Sequence, residues 1–333
     1  MLAPSDLIWF VRAQTQRGNI VSNQHALEKD GKHMMRISRF FAAATAMTSA
    51  AIASGAAFAQ STLPELEIVG APIDGETYFQ PAVTELARDI HWLDDFLLII
   101  CVVITLFVTA LLAWVTFRFN AKKNPTPATF THNSPLEVAW TLVPVVILVA
   151  IGAFSLPVLF KQQRIPEGDI TIKVTGYQWY WGYEYVDHGF GFDSFMIGAG
   201  ENRLTPGVSA ELAEAGYSDE EFLLATDTAV VVPVGKTIVM QVTGADVIHS
   251  WTIPAFGVKQ DAVPGRLAGL WFTAEREGVY FGQCSELCGQ AHAYMPITVK
   301  VVSQEAYDAW LEGAIEEYAD AGTAQPLTVA SAE

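Results

Sequence analysis

Five side chains that could bind a soft metal ion lie in the C-terminal half of this 333-residue sequence. Cys284, Cys288, His292 and Met295 follow one another with the spacing Cys-x3-Cys-x3-His-x2-Met, and His249 precedes them. Thiolate and thioether sulfurs select copper(I), zinc or iron–sulfur clusters over magnesium or calcium. Methionine is not a usual zinc ligand, whereas histidine, cysteine and a weak axial methionine form copper electron-transfer sites. The pattern therefore predicts copper.

The second cysteine bears on the number of copper ions. A mononuclear blue-copper site needs one thiolate, so Cys288 beside Cys284 indicates two ions bridged by both sulfurs, each with one histidine. Met295 and a backbone carbonyl would complete the set. Two other interpretations stay open, a Cys284–Cys288 disulfide and a structural zinc ion on the cysteines and histidines. Because no open catalytic position is evident, we expect an electron relay.

Short segments rich in β-branched and aromatic residues predict the scaffold for these ligands. They are bounded by Gly, Pro or Asp, which is typical of the strands of a sandwich or barrel. The predicted strands cover 169–174, 229–232, 237–242, 269–273, 278–283 and 297–302. The four clustered ligands fall in the loop between the last two, and His249 lies on a separate strand. A hairpin loop of this length can wrap its ligands around one point.

An aromatic run and two helical segments complete the predicted β domain. Residues 177–185 read YQWYWGYEY, and as one strand they would place every second ring on a single face. The alternative is an interfacial belt or a sheet core. Residues 209–221 predict a helical insertion between strands, and 304–319 predict a helix that precedes a frayed tail.

Two apolar stretches predict a membrane anchor. Residues 96–117 and 138–160 contain 22 and 23 residues and no charge. A 22-residue helix is roughly 33 Å long, enough to cross the hydrocarbon core of a bilayer. The alternative for each is a buried helix of a soluble core. Charged residues make up only 17% of the chain, against about 25% in an ordinary soluble domain.

The N-terminal region predicts export. A basic stretch at 34–39 precedes the uncharged, alanine-rich segment 40–56, and Ala57-Phe58-Ala59 fits a signal-peptide cleavage site before Gln60. An uncleaved third span is the alternative. With Gln60 outside, the first span runs inward and the second returns outward. The segment 118–136 carries three basic residues and no acid, as a cytoplasmic loop should.

These cues give one domain organisation. The predicted parts are an N-terminal extension and signal peptide (1–59), a periplasmic segment (60–95), transmembrane helix 1 (96–117), a cytoplasmic loop (118–137), transmembrane helix 2 (138–160), a periplasmic copper domain (161–303) and a C-terminal helix and tail (304–333).

The charge of the outer part indicates the kind of partner it meets. The chain holds 19 basic and 36 acidic residues, and residues 161–333 hold 9 basic and 24 acidic, a net charge of −15. Such a surface is a poor nucleic-acid binder, because affinity there comes mainly from neutralising phosphates. A basic partner would instead be steered toward it.

Four segments together resemble subunit II of cytochrome c oxidase in its alphaproteobacterial form. They read GQCSELCGQAHAYMP, DVIHSW, GYQWYWGYEY and DAVPGRL, and the resemblance covers nearly all of 60–310. It implies a mixed fold, in which a transmembrane two-helix hairpin in the bacterial inner membrane precedes an all-β cupredoxin-like sandwich or barrel. It also implies that a dinuclear copper centre, CuA, accepts electrons from reduced cytochrome c. They would pass to heme a in subunit I, where oxygen is reduced to water with proton pumping.

The resemblance also implies roles for individual residues. It gives the copper ligands as His249, Cys284, Cys288, His292, Met295 and the backbone carbonyl of Glu286. It gives the Glu286 carboxylate as a ligand of magnesium or manganese at the junction with subunit I. From its loop position alone, Glu286 is only a solvated acid.

Further implied roles concern electrons, protons and docking. Trp179 resembles the point at which electrons arrive from cytochrome c, and Glu137 resembles the acid at the mouth of the K proton pathway into subunit I. By position alone, Glu137 is a solvated acid at a helix N-terminus. Asp227, Asp246 and Asp261 match acids that dock cytochrome c. Further oxidase subunits are implied as partners. A membrane-tethered copper carrier, the non-enzymatic alternative, would need neither Trp179 nor Glu137.

Overall fold

The computed structural model describes residues 60, 62–201 and 203–319, and the predicted signal peptide over 1–59 lies outside these residues. Two long helices follow the N-terminal segment, α1 (Glu85–Arg118) and α2 (Ser134–Gln163). Both are long and apolar enough to cross a membrane, and their most apolar windows are not buried in protein.

The helices extend beyond the predicted spans because polar residues at their ends are also helical. Thr84 caps α1, its side chain accepting a hydrogen bond from the Ala87 amide, and Leu86 and Ala87 are buried against the β domain. The first turns of α1 therefore belong to the base of that domain. Asn133 caps α2 in the same way, through the Leu136 amide.

Aromatic rings and charges join the two helices near the β domain. The ring of Phe154 on α2 lies edge-on to Trp92 and Phe96 of α1, with ring centroids 5.9 and 5.2 Å apart. Directly after the apolar stretch of α2, Lys161 Nζ lies 2.5 Å from Glu85 and 2.6 Å from Asp89 of α1. The hairpin is thus fixed at its outer end.

Within the described part of the chain, eleven strands build the β domain. In chain order they are β1 (Ile68–Gly70), β2 (Ile170–Tyr177), β3 (Tyr180–Tyr185), β4 (Phe190–Ser194), β5 (Val230–Pro233), β6 (Thr237–Gly244), β7 (His249–Ile253), β8 (Val258–Ala262), β9 (Ala268–Thr273), β10 (Gly278–Gln283) and β11 (Pro296–Val302). One sheet has the order β1-β10-β11-β5, a second has the order β4-β3-β2-β6-β9, and β7 pairs with β8.

Strands β2, β3 and β6 alternate between buried and partly exposed residues, as expected for a sheet with one face on a core. In β2, Ile170, Ile172 and Val174 are buried, and the residues between them are half-buried. Side chains from both sheets and from β7 form one hydrophobic core, in which Trp181 and Trp251 are fully buried. The fold is therefore a sandwich, as the strand pattern predicts.

The aromatic run forms two strands, so the prediction of a single strand is wrong. Strand β2 ends at Tyr177 and β3 begins at Tyr180, and these two residues pair across a tight hairpin. Gln178 and Trp179 make the turn. The run contains no Gly, Asn or Asp at this point to signal a turn. As a result, Trp181 faces the core and Trp179 lies at the end of the sheet.

The insertion between β4 and β5 contains a shorter helix than the sequence predicts. Helix α3 (Pro206–Glu214) ends before Gly216, whose φ of +84° is left-handed and stops the helix. Val208, Leu212 and other apolar side chains of the insertion pack on β10, including Phe281. The insertion thus covers the outer face of the first sheet.

The C-terminal helix α4 (Gln304–Ala319) packs on the sandwich, over the range where the sequence predicts a helix. Trp310 is fully buried, and its ring centroid lies 5.3 Å from that of Tyr185.

Hydrogen bonds at several points join the helical hairpin to the β domain. The Thr84 hydroxyl donates to the Phe256 carbonyl at 2.7 Å, and the Trp271 indole donates to the Lys161 carbonyl at 3.3 Å. Arg88 forms two parallel hydrogen bonds with Glu275, both of 2.7 Å. The hairpin and the β domain are therefore fastened to one another at several points.

Candidate metal centre

The ligand candidates come from the start of β7 and from the loop between β10 and β11. His249 is the first residue of β7 and is completely buried. The loop leaves β10 after Gln283 and returns at Pro296. The Ser285 amide donates to the Ser250 carbonyl at 2.9 Å, which holds the loop against β7. Residues distant in sequence are brought together in this way.

The sulfur and nitrogen atoms of the predicted ligands face one another. The Sγ atoms of Cys284 and Cys288 are 3.8 Å apart, and both cysteines are free. His249 Nδ1 lies 3.9 Å from Cys284 Sγ, and His292 Nδ1 lies 3.6 Å from Cys288 Sγ. Met295 Sδ lies 3.5 Å from Cys288 Sγ. Each histidine thus flanks a different cysteine.

The backbone of the loop also contributes an oxygen atom. The Glu286 carbonyl lies 3.3 Å from Cys284 Sγ, whereas the Glu286 residue itself is exposed. Its carbonyl therefore faces the cysteines from within the loop.

These spacings fit a bound metal. Two ligands at about 2.0–2.3 Å from one ion, at a tetrahedral angle, lie roughly 3.5 Å from each other. The spacings within the cluster, 3.3 to 3.9 Å, lie around that value. A disulfide would bring the two sulfurs to about 2.05 Å. The donor set of two thiols, two imidazoles and a thioether suits copper.

The two thiols influence each other's ionisation. Burial opposes ionisation of Cys284, but hydrogen bonds from His249 and the loop backbone lower the pKa of its thiol. Burial and the charge of Cys284 raise the pKa of Cys288. Two thiolates so close together repel each other, and a bound cation would remove that repulsion.

Asp246 fixes the orientation of His249. Its Oδ1 lies 2.9 Å from His249 Nε2, and its Oδ2 accepts a hydrogen bond from the Gln178 amide at 2.8 Å. Partial burial of the Asp246 carboxylate favours a higher pKa, but these hydrogen bonds outweigh that effect and lower the pKa. With Nε2 engaged, Nδ1 is left to face Cys284, which is how outer carboxylates orient metal-bound histidines.

Two small residues make room for this arrangement. A Cβ atom on Gly176 would lie 2.9 Å from the His249 ring. A Cβ atom on Gly289 would lie 3.1 Å from the Trp179 ring, and Gly289 has a φ of +122°. Both positions therefore require glycine.

Trp179 contacts the metal loop directly. Its Nε1–H donates to the Cys288 carbonyl at 3.2 Å, and the Gln178 side-chain amide donates to the same oxygen at 2.9 Å. Trp179 remains half-buried at the hairpin turn. Gln178 was not among the predicted site residues. The sequence feature that pointed to it was its position next to Trp179.

The three predicted docking acids lie at different distances from the cysteines. Asp246 contacts His249, and Asp261 lies on β8 opposite Ser250. Asp227 lies elsewhere, where its carboxylate accepts a hydrogen bond from the Phe195 amide at 2.9 Å. The Asp227 residue is exposed, but protein groups around its carboxylate displace water from it and raise its pKa to about 6.

Glu137 lies far from the metal centre. It occupies the first turn of α2, and its Oε1 accepts a hydrogen bond from the Asn133 amide at 3.2 Å. At 1.5 Å per residue, the helix separates it from Lys161 by roughly 36 Å. Within the described residues it acts as a capping residue of the helix.

Comparison with known proteins identifies both parts of the chain. The family model described as cytochrome c oxidase subunit II, periplasmic domain, matches residues 170–302. The model described as the transmembrane domain of the same subunit matches residues 72–158. Together these matches cover the helical hairpin and the β domain.

Individual relatives agree with the family models. Cytochrome c oxidase subunit 2 of Cereibacter sphaeroides is 68% identical over 267 residues, which are 79% of this chain and 88% of the relative. Subunit 2 of Cyanidium caldarium is 39% identical over 237 residues, 71% of this chain and 90% of the relative. A solved structure is also similar, the crystal structure of the periplasmic domain of subunit II of the cytochrome oxidase of Bradyrhizobium japonicum. Its sequence is 46% identical and the TM-score is 0.39, and the match covers 46% of this chain and 99% of that one.

The relatives confirm the predicted family and the predicted mixed fold, a transmembrane hairpin followed by a cupredoxin-like β domain. They also confirm that the protein is a subunit of an oxidoreductase, anchored in a membrane and bearing a periplasmic domain. The chain belongs to the cytochrome c oxidase subunit II family.

Proposed function

We propose that this subunit accepts electrons from reduced cytochrome c at a dinuclear copper centre, CuA, and passes them to heme a in subunit I. There, oxygen is reduced to water and protons are pumped. The convergence of five ligand side chains and the Glu286 carbonyl on one small volume carries this proposal.

His249, Cys284, Cys288, His292, Met295 and the Glu286 carbonyl would hold the copper. When bound, the copper centre supplies a one-electron carrier. The protein keeps the ligands in place through the β10–β11 loop and through Asp246, which orients His249. A rigid ligand set changes little between oxidation states, and small rearrangements suit fast electron transfer.

Trp179 is the proposed point at which electrons arrive. Its indole donates to the carbonyl of Cys288, so the ring is coupled to a ligand through one hydrogen bond. The same ring is half-buried at the end of a hairpin, where a docked protein could approach it.

Acidic residues would guide the donor. The outer part of the chain has a net charge of −15, and a basic cytochrome c would be attracted to it over long range. Asp227, Asp246 and Asp261 are the proposed docking acids. The contact between Asp246 and His249 supports a docking surface close to the metal ligands.

Two further roles rest on the resemblance to the family. The exposed carboxylate of Glu286 is proposed as a ligand of magnesium or manganese at the junction with subunit I. Glu137 is proposed as the mouth of the K proton pathway, at the helix end opposite the copper centre. Further oxidase subunits would complete the enzyme.

The proposed location is the bacterial inner membrane. Cleavage before Gln60 would release the signal peptide (1–59) and leave residues 60–95 in the periplasm. The hairpin would cross the membrane over 96–117 and 138–160, with 118–137 in the cytoplasm. The copper domain (161–303) and the tail (304–333) would then lie outside.

Metal analysis of a cysteine variant tests the copper assignment. We expect the full-length chain to bind two copper ions with the electron paramagnetic resonance spectrum of a delocalised pair. Cys288→Ser should lose that signal and one or both ions, because it removes a bridging sulfur. Cys101→Ser is the matched control, since Cys101 lies on the exposed face of α1. Zinc binding, or an unchanged copper pair in Cys288→Ser, would contradict the proposal.

A further inference from the structure

A cleft of about 540 Å³ opens where α2 meets the β domain. Its lining consists of Pro157, Phe160, Lys161, Arg164, Ile165, Pro166 and Trp271. The walls are mainly apolar, and two of the lining residues are basic. None of these residues belongs to the metal centre or to the proposed proton pathway.

In the topology of the proposed function, on which this inference rests, the cleft lies at the outer surface of the membrane. Phe160 is the last residue of the uncharged stretch of α2, and 60% of its surface is exposed. The helix ends at Gln163, and the chain leaves it in an extended conformation at Arg164. Trp271 on β9 forms the wall contributed by the β domain. Tryptophan is enriched at this depth because its ring is amphipathic.

Arg164 supplies the available positive charge. Lys161 is already paired with Glu85 and Asp89. Arg164 is exposed and has no ion-pair partner among residues 60, 62–201 and 203–319. The Trp271 indole nitrogen is also engaged, with the Lys161 carbonyl, so this ring contributes only its surface.

We propose that this cleft binds one phospholipid of the outer leaflet, with its phosphate on Arg164. The guanidinium group can form two parallel hydrogen bonds with phosphate oxygens. The glycerol and the upper acyl chains would lie against Phe160, Pro157 and Ile165. The carbonyl end of α2 repels an anion, so the phosphate depends on Arg164.

The apolar walls favour a lipid over free phosphate. A free phosphate ion would be attracted to the positive charge of Arg164 but would leave Phe160 and Ile165 exposed to water. A lipid covers this apolar surface and keeps its phosphate at the same depth as the arginine. A segment of another oxidase subunit is the competing occupant, and the experiment distinguishes it.

Native mass spectrometry of the full-length chain in lipid nanodiscs tests the proposal. We expect one dioleoyl phosphatidylglycerol to stay bound per chain, whereas dioleoylglycerol, which has the same acyl chains and no phosphate, does not. Arg164→Gln should weaken retention by about fivefold or more, because one cation near a membrane surface contributes roughly that much. Arg203→Gln is the control, since Arg203 is an exposed arginine in the insertion.

Two further variants keep the test independent of folding. Arg164→Lys should retain part of the affinity, and Ile165→Trp should reduce it by filling the cleft with the arginine intact. Equal retention by the wild type and Arg164→Gln would overturn the proposal, and so would displacement of the lipid by inorganic phosphate. In the assembled oxidase, a photocrosslinker at Ile165 should label lipid, and labelling of another subunit would overturn it. None of these readouts depends on copper.

Discussion

At the scale of single residues, the position of His249 depends on one carboxylate. Asp246 holds Nε2 of the ring at 2.9 Å and leaves Nδ1 facing Cys284. We predict that Asp246→Asn lowers copper affinity by about 10- to 100-fold, the usual effect of losing an outer carboxylate. Competition with a copper chelator measures this. Asp261→Asn, which does not contact His249, should bind copper as the wild type does, and equal losses in both variants would contradict the role.

Trp179 gives a second test at this scale. Trp179→Phe keeps an aromatic ring but removes the hydrogen bond to the Cys288 carbonyl. We predict slower reduction by cytochrome c, by about tenfold or more, with copper content and copper spectrum unchanged. Stopped-flow reduction kinetics measure the rate, and Trp114→Phe on α1 serves as the control. A normal rate in Trp179→Phe would mean that electrons arrive elsewhere.

The residues of the metal loop were easier to predict than the residues around it. Cys284, Cys288, His292 and Met295 form a short motif, so their types and spacing suffice to suggest one site. Gln178 gave no such signal, because its hydrogen bond to the Cys288 carbonyl exists only after the β2–β3 hairpin has folded against the loop. Outer contacts of this kind depend on the tertiary structure.

At the scale of secondary-structure elements, Lys300 of β11 makes the stability depend on pH. It lies beneath the insertion, 5.5 Å from the centre of the Tyr217 ring, and burial lowers its pKa to about 8 from 10.5. Between these two values the unfolded chain holds a proton that the folded chain has released. The free energy of unfolding therefore rises with pH across this window and is lowest below it.

Lys300→Met should remove this dependence. The variant loses the buried amine, so we predict a higher free energy of unfolding near neutral pH, by up to about 3 kcal/mol, and a flatter profile above pH 8. Denaturant titrations of the full-length chain in detergent across the window measure both. Lys236→Met, at an exposed lysine, is the control. Parallel pH profiles for the wild type and Lys300→Met would contradict the prediction.

The elements themselves were predictable where the pattern was strong. Strand β10 (Gly278–Gln283) matches its predicted range, because it is β-branched and aromatic between turn residues. Strand β8 has the polar sequence VKQDA and is defined mainly by its pairing with β7. The three-residue β1 likewise owes its existence to β10. Such strands depend on a partner that the local sequence does not reveal.

At the scale of the whole molecule, net charge should govern the encounter with the electron donor. With a net charge of −15 over residues 161–333, the association rate of a basic cytochrome c should fall as salt rises, because the Debye length shrinks from about 10 Å at 0.1 M to about 3 Å at 1 M. Stopped-flow rates over a salt series measure the slope. Asp261→Asn should flatten it more than Glu312→Gln on α4, and a rate that is independent of salt would exclude steering.

The contacts of Thr84, Arg88 and Trp271 make the hairpin and the β domain one body. Helix α1 begins under the β domain, where its first turn is buried and the Thr84 hydroxyl donates a hydrogen bond to the Phe256 carbonyl. Such an anchored domain cannot swing on a tether to fetch electrons from one protein and deliver them to another. The β domain therefore stays in one position, so a mobile electron donor must diffuse to it. The electron must then pass to its acceptor over a constant distance.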